Sequence, residues 1–284
     1  MKPNLFLSSI FLLALVSCSD KDEPSTKPSA YDRLAAIIGT DYTEKFMYDE
    51  SGKITRWKLT SEDSQTQTNY SYPSSEEIHL VTMNSTKDVA IDYDSRSIFD
   101  ETLHIGKDGL IEYTDGIWTE YEHLSPTVKR KYRLEFVYDT SRQLVAITSS
   151  EWRPGGDEWE DTPWTWTNTL EWNDGKIVKY TDYLGNRRPN RVIEYSYFGT
   201  TAVSNYPEIC SVLRKDYTPL QTAGLFGKRS QALVDRATTT WENEQTSVTN
   251  YAYTFSTSAT ASWLESYTST FNGNPEQTYL LKWE

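Results

Sequence analysis

The sequence predicts an all-β chain, an antiparallel meander of consecutive hairpins forming a curved, barrel-like sheet with one or two short helices. Three observations predict it. Tyr, Trp and Phe number 20, 10 and 9 in 284 residues, a composition suited to strands. Segment after segment alternates apolar and polar residues with period two, so that one face is buried while the other meets water. Between these segments stand Asp-Gly and Asn-Gly pairs, which suit tight hairpins because both residues tolerate positive φ.

Taken in order, the chain opens with Lys2 and an apolar run from Leu5 to Val16. That run is short of the roughly 20 residues a spanning helix needs, but it fits the apolar core of a signal peptide. Leu15-Val16-Ser17-Cys18 closes it and resembles a bacterial lipoprotein cleavage box. The resemblance implies lipidation at Cys18 and removal of residues 1–17. Long acyl chains there would form a durable membrane anchor, at about 0.8 kcal/mol per buried methylene. Residues 19–30 are polar and hold Pro24 and Pro28, a composition too poor in apolar surface to order itself. This tether starts Ser19-Asp20-Lys21-Asp22-Glu23, which resembles the acidic export signal of surface-exposed lipoproteins in Bacteroides-type bacteria. Tyr31 to Ile38 places Leu34, Ile37 and Ile38 at helical spacing, with Gly39 as a stop. The domain plan is therefore a signal peptide over 1–17, a lipidated cysteine, tether and short helical segment over 18–39, and a single antiparallel β domain over 40–284.

Within that domain Leu134, Phe136 and Tyr138 share a face opposite Arg133 and Glu135. Ile193, Tyr195 and Tyr197 alternate with Glu194 and Ser196, and Tyr251, Tyr253 and Phe255 with Asn250, Ala252 and Thr254. Trp263, Tyr267 and Phe271 read as one face of a long strand, and Tyr279, Leu281 and Trp283 end the chain in the same manner. Asp108-Gly109, Asp115-Gly116, Asp174-Gly175 and Asn272-Gly273 read as turns. These signals give about 13 to 16 strands. Pro219 to Ala237 breaks the alternation, and its small residues favour a helical turn or two that would plug or cap one end of the sheet.

A short motif recurs. Tyr48-Asp49-Glu50-Ser51-Gly52-Lys53-Ile54 is echoed by Tyr138-Asp139-Thr140-Ser141-Arg142-Gln143-Leu144 and, more briefly, by Trp172-Asn173-Asp174-Gly175-Lys176-Ile177. Each joins an aromatic strand end to an aliphatic strand start through an Asx-led turn. These hairpins, with Gly224-Leu225-Phe226-Gly227-Lys228-Arg229-Ser230, resemble a domain-of-unknown-function family (number 4595) of Bacteroides-type lipoproteins. Gly224 to Ser230 is the most specific segment, and the second copy of the motif departs from the pattern by placing Arg142 where the first has Gly52. The resemblance covers about 40–284. It implies a porin-like, curved β fold and an envelope location, and no chemistry.

The remaining residues narrow the function. The formal net charge of −13 disfavours nucleic acid as a partner, since phosphates would be repelled. With Cys18 lipidated, Cys210 is the one thiol left, so no internal disulfide is expected. No nucleophile elbow, phosphate loop or dinucleotide fingerprint occurs. His79, His104 and His123 are too widely spaced for a local metal motif and read as ordinary strand residues. No metal, cofactor or catalytic residue is assigned.

Residues 151–172 stand apart, with five of the ten tryptophans: Trp152, Trp159, Trp164, Trp166 and Trp172. Trp164, Trp166 and Trp172 share a strand parity, which fits core. Trp152 and Trp159 flank a Pro-Gly-Gly turn with Asp157 and Glu158. Tryptophan faces stack on sugar C–H faces while acids accept hydroxyl hydrogens, so Trp152, Trp159, Asp157 and Glu158 are the candidate ligand-binding residues. The expectation is a non-catalytic surface lipoprotein of the outer membrane, binding a glycan or an envelope protein and facing the cell exterior. The alternatives are a structural or assembly accessory of an outer-membrane complex and a carboxylate-based glycan hydrolase with two close acids. An integral barrel is disfavoured because Arg133, Glu135, Glu194 and Asn250 occupy outward positions, where lipid requires apolar residues.

Overall fold

A computed structural model describes residues 33–283, apart from 89–92, 123–124, 156–157, 160–162, 185–187, 199–212, 231 and 258–261. Cys18, the tether, His123, Asp157 and Cys210 lie outside the described residues.

The strands are β1 (Leu34–Ile38), β2 (Tyr42–Tyr48), β3 (Ile54–Ser61), β4 (Ser64–Ser71), β5 (Glu77–Asp88), β6 (Tyr93–Ile105), β7 (Ile111–Glu122), β8 (Ser125–Tyr138) and β9 (Leu144–Trp152). A two-residue ladder, β10 (Pro154–Gly155) with β11 (Glu158–Trp159), follows. Then come β12 (Trp164–Asn173), β13 (Lys176–Leu184), β14 (Arg188–Tyr197), β15 (Val234–Trp241), β16 (Thr246–Thr257), β17 (Ser262–Phe271) and β18 (Gln277–Trp283). Apart from the β10–β11 ladder, sixteen antiparallel strands form one closed barrel, in which β1 pairs with both β2 and β18. Closure gives each of these sixteen strands a neighbour on both sides.

Of the segment read as helical at 31–38, Leu34–Ile38 is instead the strand that closes the ring. A register shift between Leu34 and Ala36 turns Leu34 and Ile37 to the same side, both buried. A bulge thus produces within a strand the spacing of three that imitates a helix. Ile54 with Trp57, Leu144 with Ile147, Ile177 with Tyr180, and Leu264 with Tyr267 repeat this spacing and are all buried. Leu264, which has no exposed surface, thus continues the Tyr267 face, and the side chain of Trp263 lies outside the described residues.

The recurring motif has a structural cause. Asp49 and Asp139 each bend their carboxylate back into the turn, accepting from the backbone N–H of Lys53 and Gln143 at 2.9 Å. Gly52 (φ 88°) and Arg142 (φ 65°) occupy the same left-handed position, so Arg142 carries a strain that Gly52 avoids. The aromatic strand ends form a girdle. Tyr48, Tyr72, Tyr138, Trp172, Tyr253 and Trp283 donate to the carbonyls of Leu34, Ile54, Ile111, Leu144, Val234 and Leu264 at 2.7–3.1 Å. Tyr197 does the same to Ile177. Each acceptor lies within the first three residues of a strand, so the girdle ties one hairpin to the next around one rim. Arg33 and Trp283 lie on this rim, which is therefore the end at which the chain enters and leaves; we call it the terminal end.

Asp115-Gly116, read as a turn, lies inside β7. Gly116 serves close approach, since a Cβ there would stand 2.6 Å from the Tyr132 ring and 2.8 Å from the Glu101 Cβ. Asp174-Gly175 and Asn272-Gly273 are turns, each with two positive φ values.

The helical expectation at 219–237 is met by a single short helix, α1 (Thr218–Thr222), preceded by a 3₁₀ turn at Lys215–Tyr217. The rest of that span is turn, extended chain and the start of β15. Tyr217 and Leu220 are 1% exposed and belong to the same core as the inward residues of the strands. The segment from Leu213 to Ser230 is thus a plug inside the barrel.

Candidate functional site

The plug is held by an ionic cluster. Arg214 donates to Glu101 on β6 and to Asp216, with the Asp216 contact at 2.6 Å. Glu101 Oε2 also accepts from Tyr217 at 2.7 Å and Tyr132 at 2.9 Å. Asp216 Oδ2 accepts from Thr82 at 2.9 Å, and Thr82 bonds Thr68 at 2.8 Å. Tyr70 donates to the Asp216 carbonyl. Beside the cluster, Glu44 accepts from Lys215 and from the Trp57 indole. The Glu101 side chain is wholly buried, and burial raises its carboxyl above the ordinary value; Arg214 opposes that shift and Asp216 adds to it. Burial disfavours the Arg214 charge, but Asp216 and Glu101 more than offset it and hold the guanidinium protonated. Two close carboxylates are therefore present, as a glycan hydrolase would need. They are clamped on one guanidinium, and their oxygens accept hydrogen bonds from the plug and the wall; we call this cluster the latch.

The plug's loop explains Gly224 to Lys228. Ile111 N–H donates to the Leu225 carbonyl and Lys228 N–H to the Arg142 carbonyl, both at 2.8 Å. Gly227 has φ 81°, and a Cβ there would lie 2.4 Å from the Arg142 oxygen. Phe226 stacks on Tyr217 at 5.2 Å and meets Phe136 edge-on at 5.0 Å.

From the latch a run of cations and rings leads along the inner wall toward the far end. Arg214 lies 4.9 Å from the Phe99 ring, which stacks on Trp118 at 5.7 Å. Arg130 lies 4.7 Å from Trp118 and pairs with Glu151 at 3.1 Å. Arg153 approaches Glu151 at 3.5 Å and covers Trp164 at 4.1 Å. Trp164 is 58% exposed. On the next strands of the ring, β13 to β15, Arg191 pairs with Asp182 at 3.4 Å and lies 5.6 Å from Trp241, which is also exposed.

The sequence-chosen residues are placed as follows. Trp152 pairs across the sheet with Lys131, whose ammonium lies 5.5 Å from the indole. It is half-buried and faces the outer wall, opposite to its neighbour Glu151. Trp159 pairs with Pro154 and Glu158 with Gly155 through the backbone, and their side chains lie outside the described residues. Trp172 packs against the core and bonds Leu144, whereas Trp164 of the same parity stands at the rim. Period two fixes a side and leaves depth along the barrel undetermined; that is why the core reading suits Trp172 and not Trp164. Among the described residues no group of three or more metal-ligating side chains occurs. His79 bonds Asp100 at 2.7 Å, and His104 stacks on Tyr113 at 4.3 Å.

The barrel matches a solved porin-like protein from Bacteroides uniformis with a TM-score of 0.50 over 90% of this chain and 100% of that one. The fold is porin-like. At 12% identity the likeness is one of fold alone. A second porin-like protein, from Bacteroides vulgatus, matches at a TM-score of 0.39 and 9% identity over 88% of this chain and 98% of that one. No family model and no curated protein matches the sequence. The porin-like barrel of this chain differs from an open tube in its described interior, where the plug spans the wall from Glu101 to Arg142.

Proposed function

We propose that this porin-like barrel is a non-catalytic glycan-binding module, tethered through Cys18 to the outer membrane and facing the cell exterior. We further propose that it belongs with the domain-of-unknown-function lipoproteins (number 4595) that its hairpins and Gly224 to Ser230 resemble. The observation that carries the reading is the exposed Trp164 face at the far rim, with Arg153, Glu151 and Arg130 beside it. An exposed indole offers a stacking plane, and the flanking carboxylate and guanidinia offer acceptors and donors for sugar hydroxyls. This rim is opposite the end that receives the tether, so an anchored barrel would present it away from the membrane.

The outer wall fits a tethered barrel better than a spanning one. A span needs an outward apolar band roughly 25 Å tall. Lys45, Asp100, Lys131, Glu135, Glu194 and Asn250 are outward and exposed, and they interrupt any apolar run on the strands that carry them.

Affinity gel electrophoresis against a panel of soluble polysaccharides tests the reading. The parent chain should be retarded by at least one glycan, and Trp164→Ala should lose that retardation with an unchanged melting curve. Retardation indifferent to Trp164→Ala and Arg153→Ala would overturn the site. Binding of an envelope protein with no glycan retained would place the chain in the protein-binding class instead.

A further inference from the structure

A cavity of about 510 Å³ opens at the terminal end, between the plug helix and the wall. Its size falls within the roughly 300–1,000 Å³ of small-molecule sites. Phe46, Ile54, Ile78, Leu220 and Trp283 form its depth. The tyrosine hydroxyls at its edge are spent on the girdle, Tyr48 on Leu34 and Tyr72 on Ile54. The depth therefore offers mainly apolar burial, with the Ser74, Ser75, Thr218 and Thr222 hydroxyls elsewhere on the lining. The mouth offers charge of one sign. Arg33 lies 5.8 Å from the Tyr48 ring and makes a 3.5 Å contact with the Asp49 carbonyl; Lys53 lies 4.8 Å from the Tyr72 ring. Among the described residues neither cation has a salt bridge, and Asp49 directs its carboxylate to Ser51 and the Lys53 N–H. Gly52 lets the guanidinium settle, for a Cβ there would be 3.1 Å from the Arg33 Nη2.

We propose that this cavity is a second binding site, selective for a single-chain amphiphile with one anionic head. The alkyl body lies among Phe46, Ile54, Ile78 and Leu220, and the head meets Arg33 and Lys53. An apolar depth with paired cations at its lip selects by amphiphilicity, because burial of each methylene favours binding and an anion relieves the mutual repulsion of the cations. The site is separate from the Trp164 rim and does not depend on it.

The test uses a chain beginning at Ser19, which keeps every strand of the ring closed by the pairing of Leu34 with Trp283. Calorimetric titration with decanoate should show saturable binding at one site. Decyltrimethylammonium, with the same tail and opposite charge, should bind at least tenfold more weakly. Replacing both cations, Arg33→Gln with Lys53→Gln, should weaken decanoate about tenfold or more, as loss of charged hydrogen bonds does, and should remove the preference between the two heads. Ala223→Trp, on the exposed side of the lining, should weaken both probes. Both variants should melt as the parent does, and Trp164→Ala should leave decanoate binding unchanged. Absence of saturable decanoate binding, or equal affinity in parent and variants, overturns the proposal.

Discussion

Arg214 is the residue on which the plug depends, because among the described residues it alone pairs with two carboxylates of almost no exposure, Glu101 at 0% and Asp216 at 5% of the side chain. Removing one partner of a buried ion pair leaves the other uncompensated. Arg214→Met is therefore expected to cost about 3 kcal/mol, the low end of the usual range because the guanidinium retains partial solvent contact. The check is a shift of the urea midpoint at unchanged slope. Glu101 also gives stability a pH dependence. Its native carboxyl titrates above the ordinary value of 4.5, principally through burial. In the window that opens near pH 4.5, the native state keeps a proton that the unfolded chain has released, so this group's contribution falls as pH rises through the native value. Glu101→Gln cannot titrate. Melting temperatures of the parent should thus drop relative to Glu101→Gln as the buffer moves upward from pH 4.5, and parallel curves would show that Glu101 is ionised throughout.

At the scale of elements, the plug loop is fastened by backbone contacts that tolerate no side chain. Gly224 and Gly227 share a φ of 81°, yet a Cβ at Gly224 meets nothing within 4 Å, whereas one at Gly227 meets the Arg142 carbonyl. Both alanine variants pay the left-handed backbone cost, about 1 kcal/mol. Gly227→Ala should lose clearly more than Gly224→Ala in the same denaturant titration, because it also pushes Lys228 from Arg142. The contrast shows what sequence could reveal. Alternation and Asx-Gly turns expose hairpins because period and turn chemistry are local, and the Asp49 and Asp139 copies announce a repeated turn for the same reason. A bulge defeats local reading: Leu34 and Ile37 look helical because the extra residue is invisible without the partner strand. Gly116 looks like a turn because its crowding by Tyr132 and Glu101 is created by folding. The latch escapes entirely, since Arg214 and Glu101 are 113 residues apart and each, read alone, is an ordinary surface charge.

For the whole molecule, the decisive fact is that Arg33 and Trp283 share one end while Trp164 stands at the other. The stretch from Cys18 to Arg33 can reach at most roughly 50 Å when extended, so a lipid on Cys18 would hold the terminal end toward the membrane and leave the Trp164 rim outward. In this arrangement the lipid supplies the whole membrane affinity, and the charged outer wall remains in water. Cys18→Ser should then release the protein from the membrane fraction into the soluble one without altering the melting of the barrel. Survival of membrane attachment through a carbonate wash would contradict the tether and require the wall itself to meet lipid. Burying Lys45, Asp100, Lys131 and Glu135 against hydrocarbon would cost about 2–4 kcal/mol for each basic residue at mid-bilayer. The anchor and the polar wall therefore stand or fall together in a single fractionation.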